Sequence, residues 1–184
     1  NRPVHGYTRS STRNVDSFRP SSNRNPVYQT KVGVIKITFS FNYPALPCIA
    51  MPAVIAGYAR SPFTPAKKGE LARTRPDDIA ATVINGLIKE TGIDPMTIED
   101  LIVGTAFPEA EQGFNVARMI TFLTDLPETV PGVTINRFCG SSMQAIHDAV
   151  GRISMGAGDA FIAGGLESMT RIPMTGYNPM PHPR

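Results

Sequence analysis

Short apolar runs alternating with helix-period segments constrain this chain more than any other feature. Ala53-Val-Ile-Ala-Gly57, Leu101-Ile-Val-Gly104, Val133-Thr-Ile-Asn-Arg-Phe138 and Ala160-Phe-Ile-Ala163 are the length of strands and are rich in β-branched or aromatic residues. The first, second and fourth are apolar throughout, as strands covered on both faces are. Between them lie three helical patterns. Thr74-Arg-Pro-Asp-Asp78 opens the first: Pro76 suits the first helical position, and Asp77 and Asp78 complement the positive end of the helix. Ile79, Val83 and Leu87 then recur every four residues beside Ala80, Ile84 and Ile88, and Gly92 closes the helix. Asn115 to Asp125 predicts a second helix, with Val116, Met119, Ile120 and Leu123 on one side. Ser141 to Met155, ending at Gly156, predicts a third. Four strands alternating with three helices imply an α/β fold whose parallel sheet is layered with helices and joined by right-handed crossovers.

The residues before Met51 have a different texture. Residues 1–50 carry seven Lys/Arg and one acid, Asp16, whereas residues 51–184 carry eleven Lys/Arg and fourteen acids. The overall charge of +3 is therefore the sum of a basic leader and an acidic remainder. Because the basicity sits in a stretch with no folding pattern, it gives no support to nucleic-acid binding. Ser, Arg, Asn and Pro dominate up to Pro26, and Lys31 to Phe41 alternates like an isolated strand. A mitochondrial presequence would share the Arg- and Ser-rich composition, but Pro3, Pro20 and Pro26 oppose the amphipathic helix it needs. A functional disordered arm is a second reading. The third, adopted as the expectation, is that residues 1–50 are an unstructured leader outside the organised protein, with translation starting at Met51. No stretch approaches the roughly 20 apolar residues of a membrane span. Two cysteines, Cys48 and Cys139, make neither a disulfide framework nor a four-ligand zinc site, which points to a reducing, cytoplasmic setting.

The chemically informative segment is Asn136-Arg-Phe-Cys-Gly-Ser-Ser-Met-Gln144. It places Cys139 between a strand and a helix that opens with small residues. The first amides of a helix lack intrahelical partners and carry partial positive charge, which favours thiolate over thiol. Gly140, Ser141 and Ser142 leave room for a carbonyl substrate, and nearby N–H groups can stabilise an oxyanion. Most lone intracellular cysteines are small buried hydrophobes, so spacing by itself identifies Cys139 only as a possible nucleophile.

The same segment resembles the nucleophile motif of the thiolase family, and the likeness extends along the chain. Val54-Ile-Ala-Gly-Tyr-Ala-Arg-Ser-Pro-Phe63 is similar to the opening strand of thiolases. Gly104-Thr-Ala-Phe-Pro-Glu-Ala-Glu-Gln-Gly-Phe-Asn-Val-Ala-Arg118 is similar to the loop and helix after their second strand. Gly164-Gly-Leu-Glu-Ser-Met-Thr-Arg-Ile-Pro173 resembles the loop after the fourth. Four blocks in the family's order cover residues 51 to about 180. The resemblance implies a layered thiolase-like fold, its amino-terminal half only, in residues 51–184. It implies an acyltransferase in which Cys139 takes an acyl group from a 3-ketoacyl-CoA, acetyl-CoA leaves, and coenzyme A removes the acyl chain, as in fatty-acid β-oxidation. Coenzyme A is then a substrate and no cofactor is needed. Met169 is expected in a loop near the acyl pocket, and homodimers or homotetramers are expected of the full-length family member. In a eukaryote a mitochondrial or peroxisomal location would replace the cytoplasmic one.

The resemblance is also incomplete. The family's Gly-His-Pro histidine, Cys-x-Gly cysteine and Asn-Glu-Ala asparagine belong to a carboxy-terminal half and have no counterpart here. His182 sits in Pro-His-Pro, His147 reads as a helix-surface residue, and His5 lies in the leader. The expectation is a fragment truncated in its loop region and inactive by itself. Glu109, Glu111 and Glu167 have no histidine beside them and read poorly as metal ligands. Gly164-Gly165 lacks the rest of a phosphate-loop motif. Lys67, Lys68, Arg73 and Arg75 read as a solvated cluster, with contact to CoA phosphates as the alternative. Two competing functions fit the same sequence. One is a ketoacyl-synthase-type condensing enzyme, against which the Asn-Arg-Phe-Cys-Gly and Gly-Gly-Leu-Glu-Ser-Met blocks speak. The other is a non-catalytic thiolase-like module.

Overall fold

The computed structural model describes residues 32–36 and 53–183. Five strands, β1 (Val32–Lys36), β2 (Ile55–Ala59), β3 (Asp100–Gly104), β4 (Gly132–Ile135) and β5 (Ala160–Gly165), form one sheet in the order β2-β1-β5-β3-β4. Strand β3 pairs parallel with both β4 and β5, and this part of the sheet is the predicted parallel unit. Strand β1 is antiparallel to β2 and to β5. It comes from the stretch that the sequence sets apart as an unstructured leader. Val32–Lys36, within the run expected as an isolated strand, instead pairs with β2 on one side and β5 on the other. His5 and Cys48 lie outside the described residues.

Helices α1 (Pro76–Thr91), α2 (Val116–Thr121) and α3 (Ser141–Ser154) cover the sheet. The sides follow from strand alternation. Leu101, Val103, Ala160 and Ile162 face one way and pack with Ala80, Ala81, Ile84, Leu87 and Ile88 of α1 and with Val116, Ala117 and Ile120 of α2. Ile102, Phe161 and Ala163 face the other way and pack with Ala145, Ala149 and Ile153 of α3. The result is a three-layer α/β/α sandwich.

Helix α1 begins at Pro76 and ends at Gly92, which takes the left-handed conformation at φ 64°, as its sequence predicts. Helix α2 is shorter than its pattern suggested and is rotated. Val116, Ala117, Ile120 and Thr121 are buried, while Met119 and Leu123 are exposed. The side chain of Asn115 sets the helix start by accepting from the Arg118 amide. Strand β2 is also not the buried strand expected, since Ile55 and Tyr58 are exposed. It forms the edge of the sheet. Strand β4 stops at Ile135, and Asn136 to Phe138 make a turn.

Candidate active site

The path from β4 to β5 runs through α3 and crosses over β3, which lies between those two strands. Helix α2 joins β3 to β4 on one face of the sheet, and α3 returns on the other. At such a reversal the loops beyond the carboxyl ends of the parallel strands diverge and leave a crevice, where open α/β sheets bind ligands. Cys139 sits at the start of this crossover and is exposed.

The loop holding Cys139 is tightly bonded to itself. The Phe138 amide donates to Asn136 Oδ1 (2.9 Å), and the Gly140 and Ser141 amides donate to the Arg137 and Phe138 carbonyls (3.0 Å each). Ser141 Oγ accepts from the Arg137 amide (2.8 Å) and donates to the Phe138 carbonyl (2.6 Å). These bonds hold Phe138 at φ 47°, a left-handed conformation that costs a non-glycine residue about 1–2 kcal/mol. The strain is spent immediately before the cysteine and turns the backbone so that Cys139 stands in solvent. Helix α3 begins at the next residues, and Gly140 at its N-cap supplies no side-chain hydrogen bond to the first-turn amides. The Gly140 and Ser141 amides are taken by loop carbonyls, so an incoming carbonyl oxygen competes with no side-chain cap for the amides that follow them in the first turn.

Two glycines set how closely α3 approaches. A Cβ on Gly104, the last residue of β3, would collide with the main chain of Ser141 and Ser142, and one on Gly165 would lie 2.8 Å from Ser142 Cβ. Neither atom fits. The carboxyl ends of β3 and β5 thus form a floor on which the amino end of α3 rests main chain to main chain. Gly165, the second residue of the Gly164-Gly165 pair, has this packing role.

A polar network lies beside that floor. Gln112 is fully buried and donates from Nε2 to Glu167 Oε1 (2.6 Å), to Thr105 Oγ1 (3.0 Å) and to the Phe107 carbonyl (3.1 Å). Its Oε1 accepts from the Ser168 amide (2.6 Å). Glu167 Oε2 accepts from the Ala106 amide (2.6 Å). Sequence reasoning raised Glu167 only as an unsupported metal ligand and passed over Gln112. A glutamine in a loop carries no signal of burial.

The other sequence candidates are dispersed. Met169 lies in the loop after β5 and is partly exposed. His147 is exposed on α3, as read, and His182 lies in the closing loop. Glu109 accepts from the Tyr177 amide, while Glu111 is paired with Arg171 and, at 3.5 Å, with Arg75. The hydrogen bonds from Arg171, followed by the charges of Arg171 and Arg75, hold the Glu111 carboxyl below its ordinary range. Among the described residues no group of three or more His, Cys, Asp or Glu side chains is placed to hold a metal ion. Arg75, from the basic cluster of the first loop, is paired with Asp77 (2.7 Å) and Glu111 (3.5 Å). No helix among the described residues is long and apolar enough to cross a membrane.

Comparison with known proteins matches residues 53–182 to the family described as thiolase, N-terminal domain. Among curated proteins, the chain is 49% identical over 130 residues to a 3-ketoacyl-CoA thiolase of Bacillus subtilis (strain 168), covering 71% of this chain and 33% of that protein. It is 46% identical over 122 residues to a 3-ketoacyl-CoA thiolase of Saccharophagus degradans, covering 66% and 31%. A similar match, 44% over 126 residues, is to the 3-ketoacyl-CoA thiolase of Pseudoalteromonas translucida. The chain spans about a third of the length of these relatives.

Proposed function

The chain belongs to the thiolase family, and from that membership we propose that Cys139 is the acyl-accepting nucleophile of a 3-ketoacyl-CoA thiolase, in which this segment supplies the nucleophile and its oxyanion donors. The observation that carries the reading is the exposure of Cys139 at the uncapped amino end of α3, above the carboxyl ends of three parallel strands. In the proposed reaction the Cys139 thiolate adds to the 3-keto carbon, and the alkoxide forms within reach of main-chain amides. The C2–C3 bond then breaks, acetyl-CoA leaves after its carbanion takes a proton, and the shortened acyl chain stays on sulfur. The thiolate of coenzyme A next attacks this thioester and restores Cys139. Splitting one transfer into two avoids a direct encounter of both substrates and gives ping-pong kinetics.

The acid–base groups that the resemblance assigns to Gly-His-Pro and Cys-x-Gly motifs are not in this sequence, so the chain by itself accepts acyl groups slowly. The names of the relatives favour this reading over a ketoacyl synthase. Acyl-CoA and coenzyme A are the proposed substrates, in fatty-acid degradation in the cytoplasm, with assembly of the full-length protein into dimers or tetramers. The test is incubation with acetyl-CoA followed by peptide mass mapping. An acetyl group is expected on Cys139 and none in Cys139→Ser; acetylation of other residues with Cys139 untouched would overturn the proposal.

A further inference from the structure

We propose that Glu167, acting with Gln112, is the positioning residue for the Cys139 loop, tying the loops after β3 and β5 to the turn that presents the thiol. This inference rests on the acyl-transfer reading of Cys139 and extends it to a residue outside the nucleophile motif.

The chain of contacts is continuous. Glu167 follows β5 and grips residues 105–106, just beyond β3, through the Ala106 amide and through Gln112. Residues 105–106 in turn hold the nucleophile loop: Asn136 Nδ2 donates to the Ala106 carbonyl (3.0 Å), and the Thr105 amide donates to the Ile135 carbonyl (3.0 Å). Asn136 then fixes Phe138 in its strained conformation through Oδ1. One carboxylate is therefore linked through three successive hydrogen bonds to the amide of Phe138, the residue before Cys139. A Glu side chain suits this place because both oxygens accept and neither donates. Here one takes the Gln112 side-chain amide and the other the Ala106 N–H and the Thr105 hydroxyl, and among the described residues no guanidinium or ammonium is one of its hydrogen-bond partners. The arrangement resists distortion because Gln112 is fully buried, where a lost partner would leave a polar group unsatisfied.

Positioning of this kind affects alignment of the oxyanion donors with an acyl carbonyl more than it affects access to sulfur. The test compares two reactions of Cys139 in the whole chain, acetylation by acetyl-CoA and alkylation by iodoacetamide, both followed by peptide mapping so that Cys48 does not interfere. Glu167→Ala is expected to slow acetylation at least about tenfold while alkylation stays within about threefold. Glu167→Gln keeps one acceptor for Ala106 and is expected to fall between the two. Its similar size makes it the deciding variant if Glu167→Ala does not fold. A purely structural role would move both reactions together, so an unchanged acetylation-to-alkylation ratio in Glu167→Gln overturns the proposal. If the unaltered chain takes no acetyl group, the function proposed above fails instead. Amide hydrogen exchange then decides the positioning role: faster exchange over residues 136–141 with α1 unchanged supports it, and no local change overturns it.

Discussion

The two faces of the sheet are built from different materials. The face under α1 and α2 is filled by Ile84, Leu87, Ile88, Leu101, Val116, Ile120 and Ile162, large aliphatic side chains that keep the helices at an ordinary packing distance. The face under α3 is lined by Ala145, Ala149 and Ala163, with Ile102, Ile153 and Phe161, and its strands end in Gly104 and Gly165 at the helix's amino end. The first face supplies most of the buried apolar surface and therefore most of the stability. The second gives up volume so that one helix can lie almost on the strands. The comparison teaches that stability and site geometry are carried by separate layers of the same small domain.

Breaking the first layer should have the largest effect. Leu87→Ala, at a fully buried position, is expected to cost about 3 kcal/mol in denaturant unfolding while leaving the Cys139 alkylation rate per folded molecule unchanged. Gly104→Ala attacks the second layer. It should cost about 2 kcal/mol, because the new methyl must push against main chain, and unlike Leu87→Ala it should also slow acetylation of Cys139. A smaller effect is expected of Glu111→Gln, about 1.5 kcal/mol at neutral pH. Because the folded state lowers the Glu111 pKa, the wild-type advantage exists above the ordinary carboxylate value of 4.5 and fades as pH falls below it. The two proteins should therefore converge in urea melts as the pH is taken progressively below 4.5. The smallest is Asn115→Ala, about 1 kcal/mol, from loss of the cap on α2 and of the bond from Asn115 Nδ2 to the Gly132 carbonyl (2.6 Å). It should leave α1 exchange and Cys139 chemistry intact; altered acetylation would show that the two layers are not separable.

Much of this was legible in the sequence, for identifiable reasons. Pro76 and Gly92 bracket α1 because each has a conformation that only one end of a helix wants. Strand β3 was visible because a strand covered on both faces has no polar alternation to confuse it. The place of Cys139 between strand and helix marked it only as a possible nucleophile, and the resemblance of Asn136–Gln144 to the thiolase motif singled it out. The buried side of α2 was misjudged because a two-turn helix gives too few repeats to fix a phase, and Met119 and Leu123 are as apolar as the residues that are buried. Nothing announced the left-handed Phe138, since that conformation usually calls for glycine or asparagine. Glu167 and Gln112 lie 55 positions apart, and their pairing exists only after β3 and β5 are side by side.

The place of β1 has a consequence for how this protein behaves in solution. Among the described residues β2 has no sheet neighbour other than β1, and β5 has β1 as its neighbour on the side away from β3. A version starting at Met51 would leave two rows of main-chain donors and acceptors unsatisfied, along Ile55–Ala59 and Ala160–Gly165. Exposed rows of that kind recruit extended segments from other molecules, so the shortened version is expected to form aggregates more readily than the longer one.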